Sequence, residues 1–271
     1  MHAFSNGRPA AAEPSVSLAP SPVVFQRLLL WLSPAALLTV WAVASQQGWF
    51  PRQILVPPAT VLDAGVELWQ SGELWLHLQD SLRRLLAGFL AGALGGLAFG
   101  TAMGLSRAVE QSFGPLFHAL RQVPSIAFIP MLILLLGVEE SFKIVIVAKA
   151  AFFPVALATA DAVHGIPRGY FDVARAYRLP LPLLLRRVVL PATVPPVVTG
   201  LRISLGRSWM VLVAAELLAA DSGIGQMMEM GRQMFRLDIV LLGVVVTGLV
   251  GFALDRGFRA IEARLAGWQR A

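Results

Sequence analysis

Six apolar runs occupy much of the sequence, and no other feature constrains its fold as strongly. An α-helix rises about 1.5 Å per residue, so about 20 apolar residues cross the hydrocarbon core of a bilayer. The runs cover residues 28–45, 85–105, 126–136, 144–160, 197–220 and 239–258. Most come close to the spanning length, whereas the third is short unless residues 121–125 extend it across Pro124. The pattern predicts an all-α membrane protein of about six transmembrane helices.

The charge content agrees with this class. The chain of 271 residues is 56% hydrophobic and 14% charged, whereas soluble domains average about 25% charged residues. A chain with so few charged residues could not cover its surface with polar groups in water. The composition therefore excludes a disordered protein and argues against a soluble enzyme. It has no cysteine, which excludes disulfides, thiolate metal sites and cysteine nucleophiles. The histidines are too scattered to indicate a metal site. They are His2, His77, His118 and His164.

The N-terminal region combines a polar tail with the first apolar run. Residues 1–24 are rich in Ala, Pro and Ser and cannot bury a core, which predicts a disordered cytoplasmic tail. Residues 25–50 are then predicted to form an extra N-terminal transmembrane helix. A cleaved secretory signal is the alternative, because Arg27 precedes the run and residues 42–44 resemble a cleavage site. The run is long for a signal peptide, which favours the membrane helix.

The net charge of +6 comes from 22 Lys and Arg against 16 Asp and Glu. In a soluble protein this excess would suggest nucleic acid, but in a membrane protein it is first a topology signal. If the N-terminus is cytoplasmic, the cytoplasmic segments carry Arg8, Arg27, Arg107, Arg121, Arg168, Arg175, Arg178, Arg186, Arg187, Arg259, Arg264 and Arg270. The opposite loops carry fewer cations and most of the carboxylates. Because positive loops stay inside, both termini are predicted to be cytoplasmic, with the lipid bilayer and no nucleic acid as partner.

The second apolar run has a glycine at every fourth position. These glycines are Gly88, Gly92, Gly96, Gly100 and Gly104. In lipid, small residues at this spacing let two helix backbones approach closely. The ladder therefore predicts a multi-helix bundle. Packing within one subunit and packing between subunits are both compatible with it.

The loop at residues 161–196 is the most informative stretch. Pro167 suits the first turn of a helix, and Pro180 stops a helix that has begun there. Residues 168–179 are thus predicted to form a short helix that carries apolar and basic residues at helical spacing. Such a helix suits docking into a groove on a soluble partner. It also suits a position on the lipid surface, and these residues alone leave both open.

The same loop carries a recognisable motif. Asp172-Val173-Ala174, then Arg178 after three residues, then Val188-Val189-Leu190-Pro191 after nine more, resembles the EAA loop of bacterial ABC-importer permeases. That pattern is Glu-Ala-Ala, three residues, Gly, nine residues and Ile-x-Leu-Pro. Ala174, Leu190 and Pro191 match in identity, whereas Arg178 replaces the glycine. A glycine in such a position usually allows a tight bend or a close contact.

Further stretches between about residues 55 and 265 extend the resemblance in the same order. They are residues 57–61, 81–89, 124–130, 151–154, 199–202, 215–218 and 222–225. Together they look like the nitrate, sulfonate and taurine branch of the permeases. One short motif would be weak support, but a series in this order is specific.

The resemblance implies a type I ABC-importer permease fold, with a core domain over residues 51–265 and a cytoplasmic coupling helix. It implies a homodimer with a second permease copy, two ABC ATPase subunits and a periplasmic substrate-binding protein at a bacterial inner membrane. The residues it assigns to ATPase coupling are Phe171, Asp172, Ala174, Arg175, Arg178, Leu190 and Pro191. It also implies that the chain is no enzyme and binds no cofactor, because ATP and Mg belong to the ATPase. The sequence indeed lacks a Gly-x-x-x-x-Gly-Lys-Ser/Thr phosphate loop.

Ionisable residues within the apolar runs are candidates for the translocation path or its gate, since charges in lipid are costly and usually face a polar interior. With one tryptophan, they are Lys149, Arg202, Arg207, Trp209 and Glu216. At about 100° per residue, Arg202, Trp209 and Glu216 share one stripe, whereas Arg207 points about 140° from Arg202. The alternative is that Arg202 reaches the cytoplasmic interface and Glu216 binds a neighbouring helix.

The cations would attract a small anion of sulfonate, taurine or nitrate type, as the resemblance implies for an importer. A stand-alone secondary transporter or channel is the alternative function. The sequence leaves the substrate itself open, because the binding protein of such a system makes most of the selection.

Overall fold

A computed structural model describes residues 22–49, 51 and 55–267, and this part of the chain is helical without a strand. In chain order its helices are α1 Pro22–Gln46, α2 Pro58–Gln70, α3 Glu73–Leu105, α4 Arg107–Gln122, α5 Ile129–Leu136, α6 Glu140–His164, α7 Arg168–Ala176, α8 Leu181–Leu184, α9 Leu190–Leu218, α10 Ile224–Gln233 and α11 Leu237–Gly267. Most of the predicted tail at residues 1–24 lies outside the described residues, and its last three residues begin α1.

The chain divides into two compact units, Met1–Pro58 and Ala59–Ala271. The first contains α1, at the position predicted for the extra N-terminal helix. Within this unit the Trp41 indole donates a hydrogen bond of 3.0 Å to the Val56 carbonyl. The second unit contains the remaining helices and therefore the predicted coupling loop and charged residues.

Four helices of the described residues are long and apolar enough to cross a membrane. They are Glu73–Leu105, Glu140–His164, Leu181–Leu218 and Leu237–Leu265. The third is one continuous helical stretch, because a π-helical turn at Leu185–Val189 joins α8 to α9. A bent pair raises the number of spans to at most five within the described range. The predicted all-α membrane class is thus confirmed, whereas the count of six spans is not reproduced.

The bent pair corrects the predicted third span. α4 and the stretch Ser125–Leu136 meet at an angle of 94°. α5 has only 8 residues, which rise about 12 Å and cannot cross a bilayer alone. Val123 is extended because it precedes Pro124, and this breaks the helix. The region before the break, predicted as a cytoplasmic loop, is α4.

The core of the second unit forms where α3 packs against α6. All five glycines of the ladder face α6, and a Cβ on any of them would meet an α6 atom at 2.2–2.8 Å. The ladder therefore lies inside one subunit. Beside it, an apolar cluster joins α3, α6 and α9. Its members include Leu85, Phe89, Ile146, Trp209 and Leu212.

The segment between the first two apolar runs, residues 46–84, is largely helical where the structure describes it, since it contains α2 and the first turns of α3. An ion pair outside the spans connects α2 to the segment between α10 and α11. The Arg236 guanidinium, between α10 and α11, donates hydrogen bonds of 3.1 and 2.8 Å to the Glu67 carboxylate. These bonds and the Arg236 charge lower the pKa of Glu67 below its usual range.

Candidate functional site

The predicted coupling segment folds as a short helix followed by a tight turn. α7 starts after Pro167 and ends at Ala176, before the predicted end at residue 179. The Leu179 N–H then donates to the Ala174 carbonyl at 2.9 Å. The helix ends early because Arg178 adopts a left-handed backbone conformation with φ 48°. This is the position where the EAA pattern has glycine.

The two faces of α7 have different environments. Ala174 is buried, and Phe171 packs against the apolar cluster of Val163, Ile166 and Val189. The opposite face is apolar and open, and we call it the α7 stripe. It consists of Tyr170, Val173 and Tyr177, which are 61%, 57% and 77% exposed. Residues 170, 173 and 177 lie on one face because helical neighbours recur three and four positions apart.

The α7 stripe was missed in the assignment of coupling residues from the sequence. Of the assigned residues, Ala174 is covered by this chain itself, whereas Asp172 and Arg175 are exposed and paired at 2.5 Å. The exposed ion pair between Asp172 and Arg175 contributes little to stability. Leu190 is exposed at the start of α9. The available signal was the spacing of two tyrosines and a valine on one face of a helix in a polar loop.

The Arg178 backbone leads to a prediction about the turn after α7. Replacing Arg178 with glycine should stabilise this turn by about 1 kcal/mol, because a side chain with a Cβ is strained in the left-handed region and glycine is not. Hydrogen exchange at the amides of Tyr177 and Leu179 would measure the change as slower local opening.

The control uses an arginine three positions earlier. Arg175 lies within α7, where replacement with glycine should destabilise the helix by about 1 kcal/mol. The two substitutions remove the same side chain and should shift exchange in opposite directions. Faster exchange in both variants would show that Arg178 is not strained.

A buried carboxylate lies at the other end of the spans. Glu216 of α9 is 1% exposed. It accepts hydrogen bonds from the Ser81 hydroxyl at 2.8 and 2.9 Å, from the Arg84 guanidinium at 2.9 Å and from the Gly225 N–H at 3.1 Å. Ser81 also accepts a hydrogen bond from the Ile224 N–H at 2.9 Å. The carboxylate therefore joins the start of α3 to the turn between α9 and α10.

Arg84 extends this cluster to α6. It donates to the Glu140 carboxylate at 2.6 and 2.7 Å and to the carbonyl and hydroxyl of Ser222, both at 2.6 Å. The Glu140 carboxylate also pairs with the buried Lys143 ammonium at 3.1 Å. Two cations face two carboxylates, so the charges balance. We call Ser81, Arg84, Glu140, Lys143 and Glu216 the charge cluster.

The stripe predicted on α9 exists, but its members have separate partners. Arg202 faces two α11 carboxylates, Asp255 at 3.6 Å and Glu262 at 3.4 Å. The Trp209 indole donates to the Thr247 carbonyl at 3.0 Å. Glu216 belongs to the charge cluster. These residues hold α9 against α11 and α3 and do not meet in one site.

The two remaining candidate cations differ from Arg202. The Lys149 ammonium lies 4.2 Å from the centre of the Phe128 ring and 5.3 Å from that of Phe153. It is also 3.3 Å from the Val123 carbonyl oxygen. Arg207 is exposed on the outer side of α9. Lys149 thus contacts the break between α4 and α5, whereas Arg207 faces away from the core.

Residues 89–267 match the binding-protein-dependent transport system inner membrane component family. The permease protein SsuC of Escherichia coli, named for aliphatic sulfonates transport, is 39% identical over 90% of this chain and 93% of its own. The taurine transport system permease protein TauC of Escherichia coli is 35% identical over 86% and 87%. The bicarbonate transport system permease protein CmpB of Synechococcus elongatus is 34% identical over 76% and 72%.

Solved structures show the same fold. The MetNI methionine ABC transporter in an inward-facing conformation gives a TM-score of 0.51 at 22% identity, covering 69% of this chain and 97% of that one. An amino acid ABC transporter with histidines gives 0.56 at 14% identity, covering 75% and 96%. These likenesses confirm the predicted type I permease fold.

Proposed function

Because this chain belongs to the family of inner membrane components of binding-protein-dependent transport systems, we propose that it forms the path of an importer for a small anion. It is a multi-pass permease subunit of an ABC transporter, and a separate ATPase subunit hydrolyses the ATP. Relatives named for aliphatic sulfonates, taurine and bicarbonate support an anionic substrate. ATP and Mg bind to the ATPase, and this chain holds no cofactor.

The α7 stripe carries the proposal for coupling. It offers two aromatic side chains and a valine to a partner, whereas the inner face of α7 is fixed to the permease by Ala174 and Phe171. An apolar helix face that docks into a groove transmits movement of the groove to the helix. The α7 stripe is therefore the ATPase contact, and Phe171, Ala174 and Leu179 transmit its movement into the permease.

Arg207 supports assembly with a second copy. It lies on the exposed side of α9, between the exposed apolar residues Ile203 and Met210. A charged side chain at the centre of a bilayer costs about 2.5–3.5 kcal/mol on insertion scales. This cost is avoided if the surface faces a polar path between two copies. The assembly is a homodimer with two ATPase subunits.

The charge distribution supports the orientation. The arginine-rich loop that contains α7 is cytoplasmic, as is the C-terminus. The N-terminus is cytoplasmic too, because α1, with 25 residues, crosses the bilayer as the extra N-terminal helix and makes the number of crossings even. The charge cluster then lies at the periplasmic end of the spans, where a binding protein delivers the substrate. The protein lies in the inner membrane of a bacterium.

An aspartate in the α7 stripe tests the coupling proposal. Val173→Asp should reduce copurification of the ATPase subunit at least tenfold, because docking would bury an unpaired carboxylate in an apolar contact. Val173 is exposed, so membrane insertion and the yield of the permease should not change. Pull-down of the ATPase with the tagged permease from detergent extracts measures the effect.

The control places the same substitution on another exposed valine. Val66 of α2 is 54% exposed, close to the 57% of Val173, and lies outside α7. Val66→Asp should leave the amount of copurified ATPase unchanged. Equal copurification by both variants at the wild-type level would contradict docking through the α7 stripe.

A further inference from the structure

The cations of the charge cluster and the three cations predicted as path residues fall into two groups by their partners. Arg84, Lys143 and Arg202 each face at least one carboxylate within 4.0 Å. Among the described residues, no carboxylate lies that close to Lys149 or Arg207. These two charges are therefore not neutralised within the described part of the subunit. Ionisable groups at membrane depth mark a polar pathway when no internal partner accounts for them.

Lys149 and Arg207 lie at nearly the same depth. α6 and α9 run in opposite directions, because Arg84 bonds both Glu140 at the start of α6 and Glu216 near the end of α9. The Ser204 hydroxyl donates to the Ala151 carbonyl at 3.1 Å, which fixes their register. From this contact Lys149 lies about 3 Å, and Arg207 about 4.5 Å, towards the charge cluster. The two backbone positions thus differ in depth by less than one helical turn.

A helix break lies at the same level. The Lys149 ammonium is 3.3 Å from the Val123 carbonyl oxygen and 3.5 Å from the Ser125 hydroxyl. Both residues belong to the break between α4 and α5, and Val123 and Ile126 are exposed there. Non-helical backbone at membrane depth is tolerated where it is buried in protein or lines a water-filled cavity. Its exposure favours the cavity.

The side chains of Lys149 and Arg207 suit transient contact with an anion rather than tight binding. The Phe128 and Phe153 rings position the Lys149 ammonium by cation–π contact and leave its full positive charge. Lysine offers a point charge, and arginine offers a planar fork that matches an oxyanion. Within the described part of the chain neither cation is enclosed by a shell of hydrogen-bond donors, so an anion would be attracted without being bound tightly.

We propose that Lys149, Arg207 and the α4–α5 break form an anion-contact level in the translocation path. There the two positive charges attract oxyanion substrates, such as sulfonates, and disfavour cations. The proposal rests on the proposed anion path and assigns its charge selectivity to two residues. It leaves Arg202 and Glu216 as structural residues, because other side chains already neutralise them.

A charged thiol reagent can test this level without knowledge of the substrate. The chain has no cysteine, so Met210→Cys introduces its only thiol. Met210 is 72% exposed and lies one turn beyond Arg207 on the outer side of α9. The complete transporter, with its ATPase and binding protein, is treated in membrane vesicles with either an anionic sulfonatoethyl or a cationic trimethylammonioethyl methanethiosulfonate. Mass spectrometry of this chain gives both modification rates.

The readout is the ratio of the anionic to the cationic rate. Lys149→Gln with Arg207→Gln should lower this ratio about fivefold or more, since two unscreened charges are removed from the surroundings of the thiol. A change in thiol reactivity affects both reagents and cancels in the ratio. Lys149→Arg with Arg207→Lys should keep the ratio. Arg256→Gln, on the exposed side of α11, should keep it as well.

The outcomes distinguish a failure of the anion-contact level from a failure of the proposed path. An unchanged ratio in the Lys149→Gln, Arg207→Gln variant would overturn the anion-contact level and leave the importer function standing. Absence of reaction with either reagent would show that no aqueous path reaches this side of α9, which would overturn both the level and the proposed path. A fall in the ratio that the charge-conserving variant also shows would assign the effect to altered packing and overturn the proposal.

Discussion

Replacing Arg84 with methionine should destabilise the folded permease by about 3–5 kcal/mol. Arg84 is the only cation of the described residues that contacts Glu216, and Glu216 is 1% exposed. Without it, a carboxylate stays buried with only the Ser81 hydroxyl and one backbone N–H. Breaking a buried ion pair by removal of one partner costs this amount because the other charge has no compensation.

The neighbouring arginine provides the control. Arg83 is exposed on the same turn of α3, so Arg83→Met should change the free energy of unfolding by less than about 0.5 kcal/mol. Titration with sodium dodecyl sulfate in mixed micelles measures both variants. The double variant Arg84→Met, Glu216→Met should be more stable than Arg84→Met alone, since it also removes the uncompensated charge. Equal effects of Arg83→Met and Arg84→Met would contradict the charge cluster.

Replacing Gly92 with alanine should have the second large effect. A Cβ at this position would lie 2.2 Å from the Ala148 carbonyl oxygen and 2.8 Å from the Ala151 Cβ. Backbone cannot move aside by changing a rotamer, so α3 and α6 must separate. We expect a loss of about 3 kcal/mol, at the upper end of the usual cost of overpacking.

Gly95 of the same helix provides the matched control. A Cβ there would meet only the edge of the Phe152 ring at 3.5 Å, an ordinary contact. Because alanine favours the helix over glycine by up to about 1 kcal/mol, Gly95→Ala should be neutral or stabilising. The melting temperature of the purified protein should therefore fall in Gly92→Ala and stay the same or rise in Gly95→Ala. A Gly92→Ala protein as stable as Gly95→Ala would contradict the close contact of α3 and α6.

Local patterns in the sequence predicted much of the fold. Runs of apolar residues located four spans, because length and hydropathy suffice to identify a helix that crosses a bilayer. Pro167 and Pro180 located α7, although its end was predicted three residues too late. The glycine that the EAA pattern has at position 178 indicated a tight bend or a close contact, and the structure has a left-handed residue there. These features depend on residues close together in the chain.

Features that depend on distant residues could not be predicted in the same way. Arg84 and Glu216 are 132 positions apart, and nothing local indicates that they pair. Pro124 predicts a break but not the 94° angle between its flanking helices, which depends on packing. The exposed face of α7 is likewise decided by what covers Ala174 and Phe171. Periodicity alone did not distinguish the covered face from the open one.

Uptake by reconstituted proteoliposomes tests the importer function most directly. The substrate is whichever of ethanesulfonate, taurine and bicarbonate the cognate binding protein binds in a thermal-shift screen. The permease with its ATPase and loaded binding protein should accumulate this substrate only when ATP is supplied, and vanadate should abolish the uptake. The permease alone should take up none. Vanadate-insensitive uptake by this chain alone, driven by a proton gradient, would contradict its function as the permease subunit of an ATP-driven importer.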